Sequence, residues 1–424
     1  MAVEKVDTLV VGGGQAGIAM SEHLSTVGVP HLILERHRVA ERWRSGRWDS
    51  LVANGPAWHD RFPGLEFSGF DAEEFVPKDK MAEYFVAYAD MIGAPIRCGV
   101  EVKAVERLDR ARGFRVVTSH GIIEADHVVA ATGAFHNAVI PALVPPSAGV
   151  MQIHSSDYRN PGHLPEGAVL VVGSGSSGTQ IADELVHAGR RVFLSVTPHG
   201  RPPRRYRERD YCWWLGVLGR WDAQTPPEGA AHVTIAVSGA DGGKTIDFRR
   251  LARQGVALVG RVNGYHDGAV SFDGDLAANL ARGDADYRAV LDEADAYVAR
   301  NGLELPEDPD ARRIEPEPAC VSDPVRVLKL AEAGVTCILW ATGYSSDFSW
   351  LKVDAFDREG RPKHQRGVSS EPGIYFLGLP WLARRGSSFI WGVWHDAKFL
   401  ADHIATQRGY LAYRPPATRA SDVA

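Results

Sequence analysis

Two short stretches of this sequence place three glycines at one spacing: Gly12-Gly13-Gly14-Gln15-Ala16-Gly17 and Gly173-Ser174-Gly175-Ser176-Ser177-Gly178. In such a turn the first glycine permits a tight bend, the second lets backbone approach a pyrophosphate, and the third lets the following helix sit close on its strand. The helix N-terminus then offers unpaired N–H groups and a positive dipole end to the phosphates. Each turn follows an apolar run, DTLVV or AVLVV, and precedes a segment of helical character. Each therefore reads as the first strand–turn–helix unit of a dinucleotide-binding domain.

The two units differ where their second strand ends. HLILE closes on Glu35, a carboxylate placed to bind the free hydroxyls of a ribose. That suits the adenosine of FAD or NAD and disfavours a 2′-phosphate. RRVFLSV has no acid at that point; it offers Ser195, and the loop beyond carries Arg201, Arg204, Arg205 and Arg207. Hydroxyl and guanidinium groups suit a 2′-phosphate, because arginine grips phosphate through paired N–H donors. This predicts NADPH at the second turn, with Ser176 and Ser177 as added donors and Arg204 and Arg205 as clamps; the alternative is a solvated basic loop.

The elements that must hold these turns follow from the apolar pattern. A strand over 6–11, a helix ended by Gly28 and a strand at 31–35 make a βαβ start, and KMAEYFVAYADMI recurs apolar at helical spacing. Residues 100–130 alternate like an antiparallel meander ending in DHVVAATG, and Pro141, Pro145 and Pro146 punctuate a linker. From Ala168 the βαβ pattern starts again. After Cys320, the strands TCILWATGY and GIYFLGL and a helix around WHDAKFLADHIATQ have no domain of their own, so they are expected to complete the first sheet. The predicted fold class is α/β with two Rossmann-like dinucleotide-binding domains: a discontinuous FAD-binding domain over 1–150 and 321–424, and an NADPH-binding domain over 151–320 inserted into it.

Composition excludes several alternatives. The 424 residues, 45% hydrophobic and 24% charged, are those of an ordinary globular protein. A formal charge of −6 provides no field for attracting nucleic acid. The start, MAVEKVDTLVV, lacks the pattern of a signal peptide, and no stretch reaches the roughly 18 apolar residues of a membrane span. Cys98, Cys212, Cys320 and Cys337 form no CxxC, which argues against a metal site, a disulfide framework or a dithiol redox centre and implies a reducing cytoplasm.

Over nearly its whole length the chain resembles the flavin-containing monooxygenases, the class B flavoprotein monooxygenases that include plant auxin-synthesis and Baeyer–Villiger enzymes. The resemblance rests on motif order: the turn at Gly12, the segment ERWRSGRWDSLVAN, Ala131-Thr132-Gly133, the turn at Gly173, and Ala341-Thr342-Gly343-Tyr344. It implies FAD and NADPH as cofactors, O2 as co-substrate and oxygen transfer through a C4a-hydroperoxyflavin to a small organic molecule, most simply at nucleophilic nitrogen or sulfur. Asn54 matches the family asparagine beside flavin and nicotinamide, where an amide can both donate and accept; by residue type alone it is a turn residue before Gly55-Pro56. Gln15, Trp43, Arg44 and Asp49 match flavin-contacting positions, or else are a turn filler, a packed aromatic and a structural ion pair. Ser387 or Ser388 is expected to cap the last helix beside the flavin, with Trp381, Trp391 and Trp394 as apolar walls.

Baeyer–Villiger chemistry or oxidative decarboxylation is the alternative within the family. SAGVMQIHSSDYR supplies His154 and Tyr158, but Gly149 stands one residue too far from His154 for the Baeyer–Villiger signature and its phenylalanine is missing. A NAD(P)H-dependent flavin reductase or dehydrogenase without oxygen transfer would share both turns. The Trp-rich segment DYCWWLGVLGRW is compatible with a substrate entrance, a homodimer contact or a membrane-surface patch.

Overall fold

The computed structural model describes residues 3–109, 111–224 and 234–414. Strand β1 (Glu4–Val11) ends in four buried residues, enters the first glycine turn and continues as helix α1 (Gln15–Thr26). Strand β2 (His31–Glu35) returns parallel to β1, with Val11 opposite Leu34. The short helix α2 (Glu41–Ser45) and the helix α3 (Lys78–Met91) follow; α3 buries Met81, Tyr84, Phe85 and Tyr88 on one stripe, as its helical spacing dictates. Strands β3 (Ile96–Cys98), β4 (Val102–Arg107), β5 (Phe114–Thr118) and β6 (Gly121–Ala130) complete this part. The order β3-β2-β1-β6 is parallel, and β4, β5 and the first half of β6 form the expected antiparallel meander.

After β7 (Asn137–Ala138) a second sheet begins with β8 (Met151–His154). The second unit follows: β9 (Ala168–Val172), α4 (Ser176–His187) and β10 (Val192–Ser195). A helix α5 (Tyr211–Val217), strand β11 (Val256–Val259), the long helix α6 (Leu276–Asn301) and strand β12 (Val335–Trp340) complete it. The sheet order is β11-β10-β9-β12-β8, all parallel. The chain then crosses back through β13 (Tyr344–Ser345), adds β14 (Ile374–Phe376) beside β6, and ends in α7 (Ile390–Ala412), which packs along α1.

One expectation is corrected here. The strand in TCILWATGY, β12, lies between β9 and β8 of the second sheet and not in the first, so the return crossing falls after Trp340 rather than at residue 321. Interior strands of parallel sheets are covered on both faces and read alike as continuous apolar runs, so the run itself does not encode its sheet. The Trp-rich segment is also interior: Tyr211, Cys212, Trp214 and Trp221 are all buried, which removes the surface patch. Trp394 belongs to the core beside His23, Phe62 and Tyr88. No helix among the described residues is long and apolar enough to cross a membrane.

Burial pushes the imidazoles of His23 and His199 down to about 4. The unfolded chain takes up those protons near pH 6.5, whereas the folded chain holds both rings neutral until about pH 4. Stability is therefore fully present above roughly pH 7 and falls as the pH drops toward 4. Thermal melting should give a lower Tm at about pH 5 than at about pH 7.5, with a cost of about 2 kcal/mol per histidine; a Tm that holds or rises on acidification contradicts the assignment.

Candidate functional site

The first turn is built on backbone contact. Gly12 has φ +113°, and a Cβ there would lie 2.6 Å from the Ala131 carbonyl oxygen; a Cβ on Gly17 would lie 1.9 Å from the Gly12 carbonyl oxygen. Gly14 differs, since a Cβ there meets nothing within 4 Å, so bare backbone faces open space at the start of α1. No side chain caps that helix. The Glu35 carboxylate accepts from the Gly13 N–H at 2.7 Å and from the His37 N–H at 2.8 Å, which fixes it beside the turn. Thr132 Oγ1 and Arg44 Nε are buried without a partner among the described residues. An open glycine cradle, a fixed carboxylate and two unmet polar groups fit a dinucleotide.

Other residues in this region have contacts within the chain. The Gln15 amide donates to the Ser388 carbonyl at 3.1 Å, tying the turn to the C-terminal segment. Trp43 packs near Phe85 at 6.5 Å between ring centroids. Asp49 is exposed; its carboxylate accepts from Asn160 Nδ2 at 2.7 Å and its N–H donates to the Arg159 carbonyl, so it ties the segment after α2 to the loop between β8 and β9. Ser387 accepts from the Ala383 and Arg384 N–H groups and closes the 3-10 turn Arg385–Ser388. Neither serine caps α7, whose cap position falls on Phe389, because that turn intervenes.

The second turn repeats the first. Gly173 has φ +112°; Cβ atoms on Gly173 and Gly178 would lie 2.5 Å from the Ala341 carbonyl oxygen and 1.8 Å from that of Gly173. Gly175 stands at the uncapped start of α4, with Ser177 just inside it. The Ser174 hydroxyl accepts from the Thr197 N–H at 2.9 Å and so links turn to strand end. The Ser176 hydroxyl is engaged on the Ile235 carbonyl at 2.8 Å, which leaves its backbone N–H, not its side chain, for an anion.

The residues expected to read a 2′-phosphate all have partners within the chain. Ser195 is fully buried and donates to the Gly260 carbonyl at 2.9 Å, since the end of a doubly covered strand is still interior. Arg204 is buried and pairs with Asp210 at 2.9 Å, and Arg205 pairs with Glu73 at 3.0 Å. Arg201 is held by Asp284 and Arg207 by Asp295. All four guanidinium groups face carboxylates, so the loop is a set of ion pairs rather than a cluster of unpaired cations.

Beside α4 lies Asn54, held at three points. Its side-chain oxygen accepts from Gln180 Nε2 at 3.0 Å, its carbonyl accepts from Arg204 at 2.6 Å, and the adjoining Gly55 N–H donates to Asp60 at 2.9 Å. Gln180 stands one turn into α4 and also donates to the Val237 carbonyl at 2.6 Å, which fixes its amide and hence that of Asn54. Gln180, Asp60 and the true role of Arg204 were not visible in the sequence, because their partners are remote or their type is common. Thr342, Gly343 and Tyr344 lie in the hinge, where β13 pairs with β7. There Thr342 donates to the Val139 carbonyl, and Gly343 has φ +82°. Gly133, at φ +78°, leads the outward crossing. His154 is a buried hinge histidine: its Nδ1 accepts from Ser156 N–H at 3.1 Å, so Nε2 donates to the Gly343 carbonyl at 3.0 Å.

Residues 9–215 match a family model described as pyridine nucleotide-disulphide oxidoreductase. An uncharacterized CzcO-like oxidoreductase of Geobacillus kaustophilus is 32% identical, over 94% of this chain and 98% of that one. A probable indole-3-pyruvate monooxygenase of Arabidopsis thaliana is 25% identical, over 94% of this chain and 90% of that one. The fold is that of a flavin-containing monooxygenase from Stenotrophomonas maltophilia, with a TM-score of 0.66 at 18% identity over 96% of this chain and all of that one.

Two outcomes test this geometry. Gly14→Ala should fold and melt like the parent without cofactor, yet bind FAD at least about tenfold more weakly, about 1.4 kcal/mol, because the methyl fills the cradle; full FAD occupancy contradicts it. Arg204→Met should lower stability by about 3–5 kcal/mol by stranding Asp210. Arg205→Ala should cost under about 1 kcal/mol and leave the KM for NADPH unchanged; a large rise in that KM restores Arg205 as a clamp.

Proposed function

The chain belongs to the flavin-containing monooxygenase family, together with the CzcO-like oxidoreductases, and from that membership we propose an NADPH- and O2-dependent FAD monooxygenase that oxygenates a small organic substrate at nucleophilic nitrogen or sulfur. The observation that carries this reading is Asn54, whose amide is fixed by Gln180 on the helix that follows the second glycine cradle. Gly12, Gly14, Gly17, Glu35 and Thr132 would hold FAD; the backbone of Gly173, Gly175, Ser176 and Gly178, with Ser177, would hold NADPH. When bound, these groups supply hydride and the activation of oxygen.

The chain's own residues orient and shield. Because Gln180 presents an N–H to Asn54, the Asn54 oxygen is turned toward α4 and its Nδ2 is left as a donor. Arg204 holds the Asn54 carbonyl from behind, and Asp60 holds the next N–H, so the amide is positioned before any ligand arrives. The disulfide-reductase reading lacks support: it needs a dithiol, whereas Cys212 is buried with its thiol pushed well above the ordinary value by burial and by the nearby Asp60 carboxylate.

In the FAD-loaded protein, NADPH should drive oxygen uptake matched by oxygenated amine or sulfide product. Asn54→Ala should divert most of that oxygen to H2O2. A variant that stays fully coupled removes Asn54 from the reaction, and NADPH oxidation without oxygenated product in the parent marks a dehydrogenase instead.

A further inference from the structure

The Asn54 segment continues into a second cluster that its cofactor role does not use. Asp60, which takes the Gly55 N–H through one oxygen, takes His59 Nδ1 through the other at 2.8 Å. The His59 ring is stacked on Trp221, with centroids 5.2 Å apart and planes 18° apart, and lies near Trp391 at 6.2 Å and Trp58 at 5.3 Å. His59 and Trp221 are each only 5% exposed. His59 Nε2 and Trp221 Nε1 are both buried with no partner among the described residues. Phe389, 43% exposed, packs edge-on against Trp221 and marks where the cluster meets solvent.

A buried polar atom without a partner is costly, so two on stacked rings offer an acceptor and a donor to a ligand. With Nδ1–H donated to Asp60, the neutral imidazole presents Nε2 as an acceptor, and the indole presents a donor. The surrounding rings suit a flat apolar or cationic body. We propose that His59 is a catalytic residue that accepts a proton from an aryl-alkyl ammonium substrate seated in the aromatic cluster. This rests on the monooxygenase reading. The substrate's N–H bond breaks, its electron pair stays on nitrogen as a lone pair that accepts from Trp221 Nε1–H until it bonds to oxygen, and the proton moves to Nε2, giving an imidazolium held by Asp60. The His59 proton is then returned to solvent. A sulfide already carries its lone pair and bypasses the step.

Benzylamine titrated into the FAD-loaded protein without NADPH should quench tryptophan emission saturably. His59→Gln should bind it at least tenfold more weakly, and Trp221→Phe, which retains a stacked ring but lacks the N–H, at least threefold. In turnover, His59→Gln should lose at least tenfold more in kcat/KM with benzylamine than with thioanisole. If His59→Gln fails to retain FAD, the Trp221→Phe titration decides. Absence of saturable binding in the parent, equal binding in the variants, or equal loss with amine and sulfide overturns the proposal. If the parent binds benzylamine through His59 but oxygenates neither probe, the monooxygenase reading fails and the amine site stands.

Discussion

Everything in this structure depends on one contact made twice: the third glycine of each turn seated on the carbonyl of the first, with room for no Cβ between them. That contact brings the start of α1 onto the end of β1, and the start of α4 onto the end of β9. Open N–H groups and a positive helix end therefore face one point in each domain. From the other side, the carbonyls of Ala131 and Ala341 press on Gly12 and Gly173. The alanine of each ATG is thus part of the cradle, while its glycine turns the chain outward. The two outgoing crossings then pair as β7 and β13, so the hinge is a direct consequence of the same packing.

A continuous path of contacts joins the cradles. It runs from Gln15 to Ser388 and the 3-10 turn, and from the Arg385 N–H to the Ala223 carbonyl beside Trp221. It then passes through His59 and Asp60 to Gly55, Asn54, Gln180 and α4. This path explains why the arginine loop is built from ion pairs. A buried guanidinium demands a carboxylate, and Asp210 supplies it to Arg204. Held there, Arg204 has a donor left for the Asn54 carbonyl. The loop braces Asn54 from behind, a task that needs rigid charge pairs rather than free cations.

Much of this was legible because it is written in local chemistry. Glycine spacing, the Glu35 carboxylate at a strand end and the two ATG tripeptides each act within a few residues of their own turn. What was not legible depends on residues far along the chain. Arg201 and Arg207 find Asp284 and Asp295 on α6, Arg205 finds Glu73, and nothing in RRYRERD announces those partners. Ser195 stood where a ligand contact is common, yet β10 is interior and the neighbouring β11 leads to the Gly260 carbonyl that takes its hydroxyl. The sheet of β12 was unreadable for a related reason: an apolar run records burial, and both sheets bury their centres equally well.

The two cradles differ electrostatically at one equivalent place. In the first, the carboxylate of Glu35 binds the Gly13 N–H and sets a negative charge beside the turn. In the second, the Ser174 hydroxyl spans to Thr197 and sets none. A phosphate brought next to Glu35 would meet like charge in a partly desolvated corner, a repulsion of about 4 kcal/mol at 4 Å for an effective dielectric near 20. Next to Ser174 that repulsion is absent, and the four arginines of the 201–207 loop are each paired with a carboxylate. The second cradle therefore differs from the first by the absence of a carboxylate at the turn, and what it presents to a ligand is an uncapped helix end.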